Sequence, residues 1–471
     1  MCRDTGNTRA VAVLCVAQFV LVLDATVVTT ALPSVGAALG LSPAGLTWVV
    51  TAYTLAFGGC LVLGGRLADL LGARRVLTVG LGVFVLASAA CGLAWSGWVL
   101  VAARVVQGLG AALMSPAALS LLGQVARGER VRRRAIGWWT AAAATGGASG
   151  WLLGGLLTDQ LGWRSVFWVN VPLGLAGLVA IRRLLPRGRV VRVASTDWPA
   201  AVGLTVALAL LVLALSSLSG RGPGAVMTWA PAVTAVLLLV ATLWREARVA
   251  EPLLPPSVLR SRSVAGASLS ALVLTASTTP AMLLTAFYLQ RVLDLSAGRA
   301  SLLYPVFNLA VTVASLAGPA AIGVASGRVV CALGLAGVSS GAGLLVTLPG
   351  HSSVVVVLVA FVLMGTGLGV ASVTSTHVGT AAAAADASHE GVVSGVLTSA
   401  AQVGTTLGLA LISPLATGSS GYRTGFGVAA AIALSGLLVA ALLPGRSAGQ
   451  HASYDEGAGQ RDQDLLRQPA S

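Results

Sequence analysis

Charged side chains are scarce in this sequence. Only 9% of its 471 residues are charged, 15 are acidic, and all 29 basic residues are arginine. So little charge excludes an ordinary soluble domain, because such a domain needs a polar surface. The five cysteines and four histidines are scattered along the chain, without the spacing of a metal site or of a disulfide framework. The sequence therefore predicts neither a metal centre nor a disulfide-stabilised fold.

Apolar residues are abundant instead: they make up 56% of the chain, and the mean hydropathy is +0.89. Runs of about 17 to 26 residues with almost no charge are long enough to cross a bilayer as helices. The sequence thus predicts an all-α integral membrane protein with 14 transmembrane helices. The predicted spans are Val11–Thr30, Leu46–Leu63, Val76–Trp95, Trp98–Leu122, Ala135–Thr158, Ser165–Ile181, Trp198–Leu218, Ala225–Leu243, Val264–Leu289, Ala300–Val324, Val329–Leu348, Val354–Val378, Val392–Ser413 and Phe426–Leu443.

The two longest internal connections, at residues 182–197 and 244–263, bracket a pair of spans. They predict a six-span bundle at residues 1–193, a two-span central hairpin at 194–246 and a second six-span bundle at 247–444. The polar tail at 445–471 is expected to be disordered. Two similar bundles are typical of transporters whose sites lie near the bilayer midplane between repeats.

Arginine is distributed unevenly between the two sides of the predicted spans. The N-terminus, the even-numbered connections and the tail hold 23 arginines, whereas the odd-numbered connections hold five. Short cytoplasmic loops carry the excess of basic residues, so both termini are predicted to be cytoplasmic in a multi-pass plasma-membrane protein. The net charge of +14 does not indicate nucleic-acid binding, because the basic residues lie in short loops rather than in a basic domain. The arginine-, alanine- and glycine-rich composition hints at a bacterial source.

Asp24 is the only acidic residue within the predicted spans, and Arg104 is the only basic one. At roughly 1.5 Å per residue, Asp24 lies about 20 Å into the first span and Arg104 about 10 Å into the fourth. A charge at mid-bilayer costs roughly 2.5–3.5 kcal/mol, so an acid there is by default functional. Burial favours the neutral carboxyl and a nearby guanidinium favours the carboxylate, so a change in their separation could load and release a proton. Alternatively, Asp24 is a tolerated polar residue and Arg104 a structural clamp on backbone carbonyls.

Two glycine-containing stretches predict close contacts. Gly64–Arg75 is predicted to be a tight cytoplasmic turn, in which Asp69 could act as a latch by pairing with a basic residue or a helix N-terminus. The alternative is an ordinary solvated loop. In the fifth span, Gly146, Gly150 and Gly154 recur every four residues and line one helix face, which permits close helix packing. Periodicity alone gives this packing no role in transport.

Together these stretches resemble the signature motifs of the major facilitator superfamily, in particular of its fourteen-span drug/proton antiporters. The first-span and fourth-span motifs are matched by Leu23-Asp24-Ala25-Thr26-Val27-Val28, by Ala31-Leu32-Pro33, and by Arg104, Gln107 and Gly108. The cytoplasmic-loop motif is matched by Gly65, Leu67, Ala68, Asp69, Gly72 and Arg74, while Leu70 and Ala73 stand where basic residues are usual. The fifth-span antiporter motif is matched by Gly146, Gly150, Gly154 and Gly155, with Trp151 in place of the usual proline. Gly162-Trp163-Arg164, Phe167, Asn170 and Pro172 resemble the stretch leading into the sixth span.

The resemblance implies a monomeric transporter, not an enzyme, that lies in the lipid bilayer. It would export small, mostly apolar organic compounds such as antibiotics, driven by the proton gradient without a cofactor and without nucleic acid. It assigns proton coupling and substrate contact to Asp24, Arg104 and Gln107. It assigns conformational gating to the following residues: Gly65, Asp69, Gly72, Arg74, Gly146, Gly150, Gly154 and Gly155.

Two other functions are compatible with such a chain. A facilitator that imports a small metabolite would have the same span pattern. An intramembrane enzyme is more distant: Gly147-Ala148-Ser149-Gly150 fits the short G-x-S-G of membrane serine proteases, with His377 as a base. This match is weak, because four residues in a chain with 58 glycines coincide readily by chance.

Overall fold

The computed structural model describes residues 2–126, 129–185, 226–246, 248–249, 261–348, 353–381, 390–412, 415 and 418–443, and scattered residues between 199 and 214. Within these residues all regular structure is α-helical, which confirms the predicted fold class. The tail at 445–471 and much of the seventh predicted span lie outside the described residues. The domain boundaries near residues 193 and 444 do as well, so the domain division stays a prediction.

The helices of the described part have the following bounds: α1 Cys2–Leu39, α2 Pro43–Leu71, α3 Ala73–Gly92, α4 Gly97–Val125, α5 Glu129–Leu161, α6 Ser165–Trp168, α7 Asn170–Leu184, α8 Val226–Glu246, α9 Arg262–Arg291, α10 Ala297–Ser301, α11 Tyr304–Val324, α12 Gly327–Leu345, α13 Val354–Ala381, α14 Glu390–Ile412 and α15 Gly418–Ala440. Eleven helical stretches among these residues are long and apolar enough to cross a bilayer. The prediction of fourteen spans is consistent with them.

The predicted turn at Gly64–Arg75 is wrong over most of its length. Helix α2 continues to residue 71 and α3 begins at residue 73, so Gly65 and Asp69 lie on α2. Leu67, Ala68, Leu70 and Leu71 favour a helix through this stretch, and the chain changes direction at Gly72 alone. The φ of Gly72 is +89°, a value that glycine reaches without the steric cost of a side chain.

Two of the predicted spans are interrupted by a break near one end. The sixth is divided at Val169 into the short α6 and the longer α7, and the tenth is divided between α10 and α11. Each break is followed by a proline: Pro172 cannot donate to the carbonyl of residue 168, and Pro305 cannot donate to that of residue 301. The breaks therefore have a local cause, and the first of them lies beside Asp24.

The helices form a first group, α1 to α7, and a second group, α9 to α15, in which corresponding pairs pack through glycine. A Cβ at Gly108 on α4 would lie 2.5 Å from the Tyr53 carbonyl oxygen of α2. In the second group, a Cβ at Gly365 on α13 would lie 2.6 Å from the Phe307 carbonyl oxygen of α11. The pair α1–α5 likewise has a counterpart in α9–α14, where Gly408 meets the backbone of Ala276. This correspondence is what two similar bundles would show.

The two groups meet along α2 and α14, where the Thr54 and Thr406 hydroxyls are 2.8 Å apart, and at the end of the molecule where α1 leads into α2, here called the loop 1–2 end. The Gln290 amide near the end of α9 donates to the Thr30 carbonyl oxygen over 3.1 Å. Near the end of α5, Asp159 Oδ2 accepts from the Gly298 N–H over 2.8 Å. These contacts join the last turn of α9 to α1 and the last turn of α5 to α10.

Candidate functional site

Asp24 lies at the centre of a fully buried polar network in the first group. Its side chain has no exposed surface. Arg104 Nη1 donates to Oδ2 over 2.7 Å, while Gln107 Nε2 donates to Oδ1 over 2.8 Å. Asn170 Nδ2 donates to the same Oδ1 over 2.6 Å. All three neighbours donate, so this geometry fits an ionised carboxylate.

Arg104 is also fully buried, and it makes contacts beyond Asp24. Its Nε donates to the Val49 carbonyl oxygen of α2 over 3.1 Å, and its Nη1 donates to Gln107 Oε1 over 2.8 Å. The guanidinium carbon lies 4.1 Å from the centre of the Tyr53 ring, a cation–π geometry. Arg104 therefore pairs with the carboxylate and bonds a backbone carbonyl at once, while its role in proton coupling stays a prediction.

Local helix geometry explains how these groups meet. Arg104 and Gln107 are three residues apart on α4, so their side chains lie on one helix face. The same spacing on α3 puts Ser88 and Cys91 together. Gly108 lets the backbone of α2 approach α4, because a side chain there would collide with that backbone. The close approach brings the carbonyl oxygen of Val49 within reach of Arg104.

Sequence reasoning gave no role at this site to two members of the network, Ser88 and Asn170, although Asn170 belongs to the stretch that resembles the lead into the sixth span. Asn170 Nδ2 donates to Ser88 Oγ over 3.1 Å, and Gln107 Nε2 donates to the same oxygen over 3.3 Å. The Ser88 hydroxyl in turn donates to the Phe167 carbonyl oxygen over 2.9 Å, beside the α6–α7 break. An asparagine inside an apolar run, two residues before a proline, was the available signal.

The electrostatics of the site are those of a buried, balanced ion pair. Desolvating two charges costs several kcal/mol per ion, and their attraction offsets this only when geometry and hydrogen bonding are good. Both conditions hold here, since the pair is 2.7 Å apart and each member has further partners. Within the described residues there is no cluster of three or more metal-ligating side chains. The arrangement can hold one negative charge that a proton could neutralise.

The glycine stripe of α5 packs against α1 next to Asp24. A Cβ at Gly146 would lie 2.6 Å from the Phe19 carbonyl oxygen, and one at Gly150 would lie 2.7 Å from that of Leu23. Gly154 meets the backbone of α1 one turn further on. The stripe therefore sets the distance between α5 and the helix that carries the carboxylate.

Gly155 and Trp151 lie on another face of α5 and contact the second group. A Cβ at Gly155 would collide with the backbone oxygen of Ala297 and with Ser301. The Trp151 ring is stacked on that of Tyr304, with centroids 4.3 Å apart and planes inclined by 6°. The residue that replaces the usual proline thus fills the contact between the groups.

The residues assigned to a gating loop lie away from Asp24, at the opposite end of α2 from Val49. A Cβ at Gly65 would be 3.7 Å from the Pro116 side chain of α4. Arg74 Nη2 donates to the Arg182 carbonyl oxygen over 2.6 Å and joins α3 to the end of α7. The side chain of Asp69 lies outside the described residues. The structure does not bring this set together with the carboxylate.

Comparisons with known proteins agree with this architecture. The model of the Major Facilitator Superfamily matches residues 14–387. The chain is 44% identical over 304 residues to the cephamycin export protein CmcT of Amycolatopsis lactamdurans, covering 64% of this chain and 62% of that protein. It is 36% identical over 466 residues to the puromycin resistance protein pur8 of Streptomyces alboniger, covering 93% of this chain and 91% of that protein.

A further relative is the tetracenomycin C resistance and export protein of Streptomyces glaucescens. It is 33% identical over 470 residues, covering 93% of this chain and 85% of that protein. Among solved structures, a peptide transporter POT in complex with sulfate matches with a TM-score of 0.67 at 17% identity, covering 93% of this chain and 96% of that one. This structural likeness concerns the fold alone.

Proposed function

The chain belongs to the major facilitator superfamily, and on that premise we propose that it exports small, mostly apolar organic compounds, antibiotics among them, in exchange for protons. Three of its relatives carry names of antibiotic export or resistance. We place the protein in a bacterial plasma membrane as a monomer, with both termini in the cytoplasm and with the proton gradient, not a cofactor, as its driving force.

The observation that carries the proton coupling is the buried pair of Asp24 and Arg104. A proton that binds Asp24 removes the negative charge and leaves Arg104 uncompensated in the same place. A buried charge without its partner is strongly destabilising, so the protonated protein would favour a different conformation. Proton binding would in this way drive a conformational change without any direct contact between proton and substrate.

The contacts between the two groups support an assignment of the observed conformation. With the N-terminus in the cytoplasm, the loop 1–2 end faces the outside. The bond from Gln290 to Thr30, the bond from Gly298 to Asp159 and the Trp151 stack join the groups towards that end. We therefore assign the conformation as closed to the outside. Opening this end would let protons bind from the outside. Once it is closed, they would leave towards the cytoplasm.

The magnitude of the driving force is sufficient. One proton moving inward through ~150 mV releases roughly 3.5 kcal/mol, at 2.3 kcal/mol per 100 mV. That free energy supports a substrate gradient of a few hundredfold, since each factor of ten requires about 1.4 kcal/mol.

The charge balance of the site favours neutral substrates. Asp24 and Arg104 compensate each other and have no exposed surface, so neither offers a free charge to a bound compound in this conformation. A strongly cationic substrate would have to compete with Arg104 for the carboxylate. We therefore expect neutral or weakly charged apolar compounds.

Everted membrane vesicles provide the test. A panel of antibiotics should accumulate in vesicles that contain the protein when a proton gradient is present, and accumulation should stop when the gradient is collapsed. Asp24→Asn should lose this accumulation yet still exchange substrate down its own gradient, whereas Asp24→Glu should keep part of the coupling.

Two outcomes would overturn the proposal. Proton-driven accumulation by Asp24→Asn at the wild-type rate, at matched protein levels, would return Asp24 to a structural role. Uptake into right-side-out vesicles without dependence on protons would favour the facilitator-type importer instead.

A further inference from the structure

The amide of Asn170 has an unusual position in the network around Asp24. Its Nδ2 donates both to Asp24 Oδ1 and to Ser88 Oγ. Its Oδ1 is buried and accepts no hydrogen bond from any of the described residues. Burying an amide oxygen without a donor costs free energy, and such an atom in a well-ordered network calls for an explanation.

Resting on the proposed function, we propose that Asn170 is the positioning residue that adapts the site to both protonation states of Asp24. In the observed state its Nδ2 donates to the carboxylate. After a half-turn of the amide, Oδ1 takes the place of Nδ2 and accepts a hydrogen bond from the protonated carboxyl. The oxygen that has no donor in the observed state is then the acceptor required by the second state, and Nδ2 gives up its bonds to Asp24 and Ser88.

Gln107, the other amide on Asp24 Oδ1, is held in one orientation. Its Oε1 accepts a charge-assisted bond from Arg104 over 2.8 Å and a weaker one from the Cys91 thiol over 3.6 Å. Turning this amide would point its NH₂ group at the guanidinium and break the stronger bond. Asn170 has no such restraint on its oxygen, so it is the amide that can turn.

The surroundings of Asn170 provide both a polar neighbour and a break in the helix. Asn170 is the first residue of α7, directly after the interruption at Val169. The Phe167 carbonyl oxygen, next to this break, accepts from the Ser88 hydroxyl. After the amide has turned, Ser88 can donate to Asn170 Oδ1 only by releasing the Phe167 carbonyl oxygen, because a hydroxyl has a single proton to donate.

A proton from the aqueous phase binds Asp24 Oδ1, and the new O–H donates to Asn170 Oδ1. Arg104 stays on Oδ2, and Gln107 Nε2 stays on Oδ1, which keeps a lone pair. The carboxyl becomes neutral and Arg104 keeps its charge.

Few other titratable groups face Asp24. Among the described residues, they are Arg104 on α4, Tyr53 on α2 and Cys91 on α3. The neighbouring α5 approaches with Gly150, α6 with Phe167 and α7 with Asn170, none of which titrates. A signal from a protonating carboxyl in this region therefore belongs to Asp24.

Infrared difference spectroscopy on the purified protein, recorded between high and low pH, tests the assignment. The wild type should show a carboxylic C=O band that is absent in Asp24→Asn. In Asn170→Leu, which has a similar volume but no amide, this band should shift to higher frequency, because the protonated carboxyl has lost its acceptor. Asn170→Gln, which keeps an amide, should restore the band towards its wild-type position. If the Asn170→Leu protein is not produced in sufficient amount, Asn170→Ala can be measured in its place.

A control and a transport measurement complete the experiment. Thr285→Val removes a buried hydroxyl on α9 that donates to the Ala281 carbonyl oxygen over 2.8 Å, and it should leave the band unchanged. A residue that bonds both protonation states should leave the pH midpoint of transport nearly unchanged when it is replaced. If Asn170 stabilised only the carboxylate, its replacement would instead move the midpoint upward by about one unit. That result would overturn the inference alone. Wild-type proton-driven transport by Asp24→Asn would instead overturn the proposed function.

Discussion

Neutralising Asp24 alone should destabilise the folded protein more than neutralising Asp24 and Arg104 together. Both side chains are fully buried, and their closest atoms are 2.7 Å apart. Asp24→Asn leaves the guanidinium without a counter-charge, beside the neutral Val49 carbonyl and Gln107. Arg104→Met leaves a carboxylate with only two amide donors. Breaking a buried pair from either side costs about 3–5 kcal/mol.

The double variant removes both charges at once. What remains is imperfect hydrogen bonding and packing, worth about 1–2 kcal/mol. If the single losses were additive, the double variant would lose about 6–10 kcal/mol, so the coupling between the two residues should be about 4–9 kcal/mol. This is a large fraction of the stability of an ordinary domain and is well above experimental error.

The free energy of unfolding of each purified variant in detergent measures this cycle. Arg75→Met, at an exposed position on α3, is the control for losing an arginine and should change it by no more than about 0.5 kcal/mol. A double variant as unstable as the sum of the singles would refute the reasoning, because Asp24 and Arg104 would then not compensate each other. Transport should be lost in the double variant even though its stability recovers, since no group is left to carry the proton.

Gly150→Leu should abolish transport in a well-expressed protein, because the side chain would meet the backbone of α1. Gly137→Leu on the same helix should be tolerated, because a Cβ there meets nothing within 4 Å. Normal transport by Gly150→Leu would show that the stripe is not a helix contact. Gly72→Ala should lower the free energy of unfolding by about 1–2 kcal/mol, because a side chain disfavours its positive φ, and an unchanged value would count against the single-residue junction. In a background without native cysteines, a cysteine at Ser217 should react with an impermeant reagent from outside the cell and one at Ser195 should not; the reverse labelling would contradict the fourteen-span topology.

The fold class could be predicted from the sequence because its cause is local. A run of apolar residues long enough to cross the hydrocarbon layer has to satisfy its backbone within the run, and a helix does this without knowledge of its neighbours. The boundaries were less predictable. The turn predicted at Gly64–Arg75 is mostly helix, because a single glycine suffices to reverse the chain there.

The candidate site could be predicted in part. Asp24 and Arg104 stand out because a charge in an apolar run is costly wherever it points, so composition alone marks them. The structure adds that these two residues, 80 positions apart in the sequence, form one ion pair. Nothing in either local sequence encodes that distance.

Other features were decided by the tertiary structure alone. Gly154 and Gly155 are neighbours in one motif, yet the first packs on α1 and the second on the other group of helices. Trp151 departs from the family pattern, and only the position of Tyr304 gives it a role. Asn170 joins Asp24 from 146 positions away. Sequence reports the cost of placing each residue in the membrane, whereas the partner that offsets this cost depends on how separate helices pack.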